Sequence, residues 1–409
     1  MVPAMAKRLR RTQHENPVHF TFDGEPFVGR AGESLAVALW AAGVRTLTRS
    51  PKYHRPRGPF CFTGQCEGCL LRVQDTPNTM ACQVAVEEGL QASSQNHLGS
   101  LSFDLLRAAD WMFPKGLNHH EFMAGVPVAE DLMKAMARRI AGLGTLPDGP
   151  RTPLPPAVRI SVEVLVVGGG ISGNAVASAL PEATVIDVVG AHGARRGIAI
   201  GVYGAQNGPR ALEVLVVEDA RTVLYAPHAL VLAPGAHEGL PTFVNNDLPG
   251  ILSLRAATTL LAHDVAPGHA PVVVETPGGT GLGRELARAH GYRHVRGQLL
   301  DATGGASVER VTLRTSEGDM VVDTDALVVD APRAPSFELA VQAGAQAHAA
   351  SHGFSVRTDA QGLAAPGVWV VGEAAGINFD ADIPTATTRA LLMDAALRTA
   401  DAVRATRRG

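Results

Sequence analysis

Apolar and polar positions change rhythm three times along this chain of 409 residues. The first rhythm is alternation. It runs through His19-Phe-Thr-Phe-Asp-Gly-Glu-Pro-Phe-Val28 and centres on Asp23-Gly24, a dipeptide suited to a two-residue hairpin turn. The second rhythm is helical. Leu35, Ala38, Leu39 and Ala42 share one face between Glu33 and Gly43, and Gly43 is placed to end the helix. Leu70–Val73 and residues 81–86 read as later strands of the same small domain. Residues 96–145 are mixed, with a helix expected over 133–140, and the proline-rich stretch 148–157 reads as a linker. From Val158 a third rhythm takes over, in which short valine-rich runs are separated by glycine-rich turns and helices. That pattern predicts an α/β region with a mostly parallel sheet.

Composition adds little. A hydrophobic content of 46% supplies material for real cores, and a net charge of −3 gives no general attraction to nucleic acid or membrane. The basic residues Lys7 to Arg11 are not followed by an apolar signal region. The longest uncharged apolar stretch, 164–180, is too short and too rich in glycine to span a bilayer. A cytoplasmic protein is expected.

The cysteines change the picture most. All four lie between 61 and 82, where a secreted disulfide scaffold would spread them, so they predict a metal site. Their spacing is Cys61-x4-Cys66-x2-Cys69, with Cys82 twelve residues further on. A [2Fe–2S] cluster needs four thiolates, and plant-type ferredoxins present them as C-x4-C-x2-C…C. Gly64 and Gly68 lie inside this loop, where glycine lets backbone N–H groups turn toward sulfur. A structural zinc site is the alternative, but it favours paired C-x2-C units. Two strands, a helix and a cysteine loop follow the order of a β-grasp ferredoxin.

Two glycine-rich segments point to nucleotide-type folds. Val164-Leu-Val-Val-Gly168-Gly-Gly170-Ile-Ser-Gly173 is a buried strand entering G-x-G-x-x-G, followed by a helix over 174–180 and a strand ending at Asp187. Gly168 permits the tight turn, Gly170 the approach of a pyrophosphate and Gly173 close packing of helix on strand. Asp187 stands where an acid can hold a ribose hydroxyl. The same βαβ unit can also keep its shape without a ligand. The second segment, Val272-Val-Val-Glu-Thr-Pro-Gly278-Gly-Thr280-Gly-Leu-Gly283, has threonine at the middle glycine, and no acid closes its next strand. It reads as degenerate. Gly367-Val-Trp-Val-Val-Gly372-Glu373 is a later buried strand whose acid, in a two-domain flavoprotein, reaches the flavin chain.

These residues also carry a resemblance. Ser50-Pro-Lys-Tyr-His-Arg-Pro-Arg-Gly58…Cys61, Cys66-Glu-Gly-Cys69 and Met80-Ala-Cys82-Gln resemble the ferredoxin part of the α subunit of heterotetrameric sarcosine oxidase. They are also similar to the iron–sulfur subunits of hydrogen cyanide synthase and of opine and hydroxyproline dehydrogenases. Val231-Leu-Ala-Pro-Gly235-Ala-His-Glu238 and Asn245-Asn-Asp-Leu-Pro-Gly250 resemble the flavoprotein α subunits of the same enzymes. The resemblance implies an oxidoreductase subunit acting on CH–NH donors. A partner β subunit of the D-amino-acid-oxidase type would oxidise the amine, and the cluster would carry electrons onward to an acceptor. FAD or another adenine dinucleotide is implied at the first fingerprint, with Gly168, Gly170, Gly173, Asp187, Gly235, Gly372 and Glu373 as its site, and FMN at a subunit interface. The chain departs from the pattern in having only about 40 residues between Asp187 and the strand at 230–235, and in lacking further cysteines.

The domains expected are a tail over 1–16, a ferredoxin domain over 17–95 and a connector over 96–157. A Rossmann-like FAD domain follows over 158–264 and 331–409, and a nested NAD-type domain over 265–330. His119-His120 reads as packing in the connector or as a proton relay. Arg45, Arg49, Lys52, Arg55 and Arg57 read as a solvated basic face or a docking surface for a partner. No Ser/His/Asp set stands out, and with every cysteine in one cluster no redox disulfide is left. The alternatives are a self-contained NAD(P)H-dependent oxidoreductase and a scaffold whose Rossmann region binds no redox cofactor.

Overall fold

A computed structural model describes residues 9–12, 16–51, 53–105, 156–190, 193–204, 212–218 and 221–408. The helix expected over 133–140, His119-His120, Lys52 and most of the proline-rich stretch lie outside these residues. The chain divides into two units. One comprises Met1–Pro150, Leu240–Pro277 and Gly283–Asp330; the other comprises Arg151–Gly239, Gly278–Leu282 and Ala331–Gly409.

In the first unit the alternating segment forms the hairpin Pro17–Phe22/Glu25–Arg30, with positive φ at both Asp23 and Gly24 as a type I′ turn requires. Its inward residues Phe20 and Phe22 are buried, and Phe20 stacks on Phe27 at 5.7 Å. The helix Leu35–Ala41 is capped by Ser34, whose hydroxyl accepts from the Val37 N–H. It ends in a Schellman turn, with Gly43 N–H donating to Trp40 O and Val44 N–H to Leu39 O. Five strands complete a β-grasp sheet in the order 25–30, 17–22, 91–93, 70–73, 76–80.

One expected strand is absent as drawn. Residues 81–86 begin as a 3-10 turn, Ala81–Gln83, because Cys82 must face the loop of the other cysteines. The strands on either side of it are Thr76–Met80 and Gln91–Ser93.

The same unit contains a parallel sheet, ordered Ile251–Ser253, Ala326–Asp330, Pro271–Glu275, Arg293–Arg296, and an antiparallel meander over 298–323. Ile251–Ser253, too short to stand out in the sequence and outside the 265–330 expected for this fold, pairs in register with Leu327–Val329, and the compact unit resumes at Leu240. This second fold shares one core with the ferredoxin segment. Leu252, Ala256, Leu260 and Val265 are buried among Phe20, Leu35, Trp40, Leu47 and Phe62.

The second unit is built on an eight-stranded sheet. Val158–Val167 lies between Ala183–Asp187 and the long strand Arg221–Leu232, and Val368–Val370 pairs with the end of the latter; all these pairs are parallel. On its other half, Arg221–Leu232 turns back against Leu212–Glu218, so the sheet is parallel at one end and antiparallel at the other. The helix Thr385–Arg408 packs Leu392, Ala396, Ala400 and Val403 into the core beneath the sheet. Among the described residues no helix is long and apolar enough to cross a membrane.

Candidate iron–sulfur and dinucleotide sites

The four cysteines meet. Cys61, Cys69 and Cys82 are buried and Cys66 is half-buried. Cys66 and Cys82 neighbour the Cys61 thiol, and Cys82 also neighbours that of Cys69. Contact with Cys66 and Cys82, helped by the Thr63 N–H, holds the Cys61 thiol far below its ordinary value. The same contacts and burial push Cys66 and Cys82 up.

The surrounding backbone favours anionic sulfur. Thr63 and Gln65 N–H groups point at Cys61 Sγ at 3.4 and 3.2 Å, and Gln83 Nε2 lies 3.8 Å from Cys82 Sγ. The loop is wound too tightly for side chains at two points: a Cβ on Gly68 would lie 2.1 Å from Gly58 O, and one on Gly58 would lie 2.3 Å from Arg45 O. Among the described residues no three ligating side chains converge on a single ion position.

The four described arginines of the basic run before Cys61 are all engaged by the protein. Arg49 is buried, donating to His54 O and to Leu101 O. Arg45 lies over the Trp40 ring, 3.7 Å from its centroid, and burial lowers its pKa to about 10. Arg55 donates to Asn245 Oδ1 at 2.8 Å and to Asp247 Oδ1 at 2.7 Å, and Arg57 pairs with the other oxygen of Asp247. Pro249 lies against Gly58, and Ser253 N–H donates to Phe60 O at 2.9 Å. Asn245-Asn-Asp-Leu-Pro-Gly250 thus braces the arm that leads into Cys61. The motif was visible in the sequence, but its pairing with Arg55 and Arg57, 190 residues away, was not.

The residues expected at the first nucleotide site gather at the carboxyl ends of the parallel strands in the second unit. Gly168 has φ +103, and a Cβ there would strike Ala233 O at 2.1 Å. A Cβ on Gly173 would lie 1.8 Å from Gly168 O, so helix Ile171–Ala179 meets the strand backbone directly. Gly170, the N-cap, faces open space. These are the three glycine roles of a dinucleotide turn. A groove of about 650 Å³ runs from Gly170 along Asn174 and Ser178 to Met393 and Leu397.

Both acids are already engaged by the protein. Asp187 accepts from the N–H groups of Gly169 (2.8 Å) and Val189 (2.9 Å). Glu373 follows Gly372, whose Cβ would meet Ser172 Oγ at 2.8 Å, and its carboxylate lies near Gly235 and 3.5 Å from Arg333 Nη1. Arg333 also pairs with Glu238 at 3.0 Å, and all three side chains are nearly buried. Glu238 closes a motif that carried the resemblance but was given no role of its own, and Arg333 was not singled out in the sequence.

Comparison with known proteins agrees with this anatomy. Residues 15–97 match the family described as 2Fe-2S iron-sulfur cluster binding domain. Over 329 residues, 67% of the chain, it is 31% identical to the sarcosine oxidase subunit alpha of Rhizobium meliloti, but it spans only 33% of that protein's length. Over 75 residues it is 32% identical to the hydrogen cyanide synthase subunit HcnA of Pseudomonas aeruginosa, covering 18% of this chain and 71% of that one. The solved L-proline dehydrogenase from P. horikoshii shares the fold, with a TM-score of 0.65 at 20% identity over 90% of this chain and 70% of that one. The chain is therefore a homologue of the sarcosine oxidase α subunit, with a 2Fe-2S iron–sulfur domain joined to a Rossmann-like flavoprotein fold.

Proposed function

We propose that this chain is the electron-transfer subunit of a multisubunit, flavin-dependent amine or amino-acid dehydrogenase. Cys61, Cys66, Cys69 and Cys82 hold a [2Fe–2S] cluster. Gly168, Gly170, Gly173, Asp187, Gly235, Gly372 and Glu373 hold FAD, and FMN sits at a subunit interface. A D-amino-acid-oxidase-type β subunit oxidises the CH–NH bond. The observation that carries this reading is four cysteines in ferredoxin spacing, three of them buried, in one chain with a glycine turn still open at Gly170. When bound, the flavin accepts the electron pair and the cluster passes single electrons onward. The chain's residues supply N–H donors to sulfur and a braced loop around the metal.

A second reading has an observation of its own. Asp187 and Glu373 already have protein partners, which suits a scaffold that binds an adenine nucleotide without redox chemistry. Release and mass identification of the bound nucleotide separates the two. FAD supports the relay, whereas an adenine nucleotide alone supports the scaffold. Iron analysis with electron paramagnetic resonance of the reduced protein should give about two irons per chain and a binuclear signal. Zinc in place of iron would sink the cluster assignment. Replacing Cys66 by Ser should abolish electron output while the partner's flavin is still reduced by substrate. Full output from that variant would refute the pathway.

A further inference from the structure

The second glycine-rich segment belongs to a fold of nucleotide-binding type, yet its anion position is taken by the chain itself. In an occupied dinucleotide site, the N–H groups of the helix after the glycine turn face a pyrophosphate, and the end of the next strand is left to ribose. Here Gly283, on helix Leu282–His290, donates its N–H to Asp330 Oδ2 at 2.8 Å. Asp330 is 1% exposed, and its carbonyl accepts from the Thr276 N–H at 2.9 Å. Glu275, at the end of strand Pro271–Glu275, has no exposed surface. Its carboxylate is ringed by Arg284 at 3.1 Å, Arg296 at 3.2 Å and His294 at 3.4 Å. A pyrophosphate would face a buried carboxylate at the Gly283 N–H, and Arg296, where the next strand ends, is turned to Glu275.

We infer that this second fold holds no nicotinamide or other dinucleotide, and that it serves instead as the mount of the cluster domain. Its own residues make that mount. Asp247 takes Arg55 and Arg57, Ser253 ties Phe60, and Pro267 O accepts the Trp40 indole N–H at 3.1 Å. Leu252, Ala256, Leu260 and Val265 complete the ferredoxin core. Asp330 and Glu275 do internally what a bound nucleotide does elsewhere: they fix the helix and the strand ends, so the mount is rigid without a ligand.

Two measurements on the full-length holoprotein test this. The first is hydrogen–deuterium exchange with and without millimolar NADH and NADPH. No added protection is expected over residues 271–296, whatever happens at 164–190, which reports separately on the first glycine turn. Protection of 271–296 by either nucleotide overturns the closed site. The second is the rate of loss of the cluster's visible absorbance under a chelator. Leu260→Ala, a cavity in the mount far in sequence from any cysteine, should speed that loss at least tenfold. An unchanged rate in a folded variant overturns the mount. Should Leu260→Ala not fold, Asp247→Asn, which removes the charge and one of the two oxygens that Arg55 and Arg57 use, is expected to speed the loss several-fold, with the same overturning result.

Discussion

Asp247 takes two arginines, and both belong to the arm that leads into Cys61. Replacing it by alanine removes the carboxylate that both guanidinium groups share, leaving Arg55 with Asn245 and Arg57 with the backbone carbonyl of residue 247, which costs about 1 kcal/mol. The expected outcome is a lower melting temperature together with weaker cluster retention, read by calorimetry and visible absorbance on the same sample. The glycine turn offers a sharper contrast between neighbours. Gly173→Ala forces a Cβ to 1.8 Å from Gly168 O and should destabilise the protein by about 1–3 kcal/mol through overpacking. Gly170→Ala meets nothing within 4 Å, so its stability should stay within about 0.5 kcal/mol of the parent while nucleotide affinity falls. Chemical denaturation and nucleotide titration of the pair would show whether Gly170 is kept for a ligand. A Gly170→Ala variant that binds as tightly as the parent would remove it from the site.

At the scale of elements, short-range chemistry was legible and long-range pairing was not. Asp23-Gly24 and Gly43 announced a turn and a helix end, because both depend on backbone angles that few residues adopt. The cysteine spacing and the first glycine turn were legible for the same reason: their geometry is local. The strand expected over 81–86 came out otherwise, because Cys82 pulls the backbone into a turn that no local preference dictates. Strand Ile251–Ser253 was missed because three residues carry no period, and only its partners make it a strand. The antiparallel return of Leu212–Glu218 on Arg221–Leu232 likewise depends on side chains that meet across the hairpin. One of these is Glu218. Burial works against its charged form, but the Tyr225 hydroxyl and Arg221 overcome that and hold its carboxyl below the ordinary 4.5. A depressed carboxyl stabilises the fold above its unfolded pKa, and that contribution fades as pH falls through the folded value. Glu218→Gln should therefore lower the melting temperature at neutral pH and lose less between pH 5 and 3 than the parent does. Parallel melting curves in that window would disprove the linkage.

At the scale of the whole molecule, the ferredoxin segment is not a detachable bead. Its core is closed by Leu252, Ala256, Leu260 and Val265, none of them within residues 15–97. Leu252 is fully buried, and Leu252→Ala should cost about 2–5 kcal/mol. Because the core is shared, loss of ferredoxin structure and loss of the parallel sheet should occur in one transition, seen as coincident melting by visible absorbance and far-ultraviolet circular dichroism. Residues 17–95 expressed alone should fail to retain a cluster that the full chain retains. A stable, cluster-loaded fragment would show that the shared core is dispensable.

The bond between Ser253 and Phe60 also sets an order of events at the ribosome. The cysteines are synthesised roughly 190 residues before the segment that braces their loop, a delay of about 10–40 s at ~5–20 residues per second. Through that interval the thiols stand in a half-built pocket, open to oxidants and to the wrong metals. Iron and sulfide can be locked in place only after the second fold has been made, so completion of the cluster waits on residues synthesised long after its ligands and is sensitive to truncation far downstream of them.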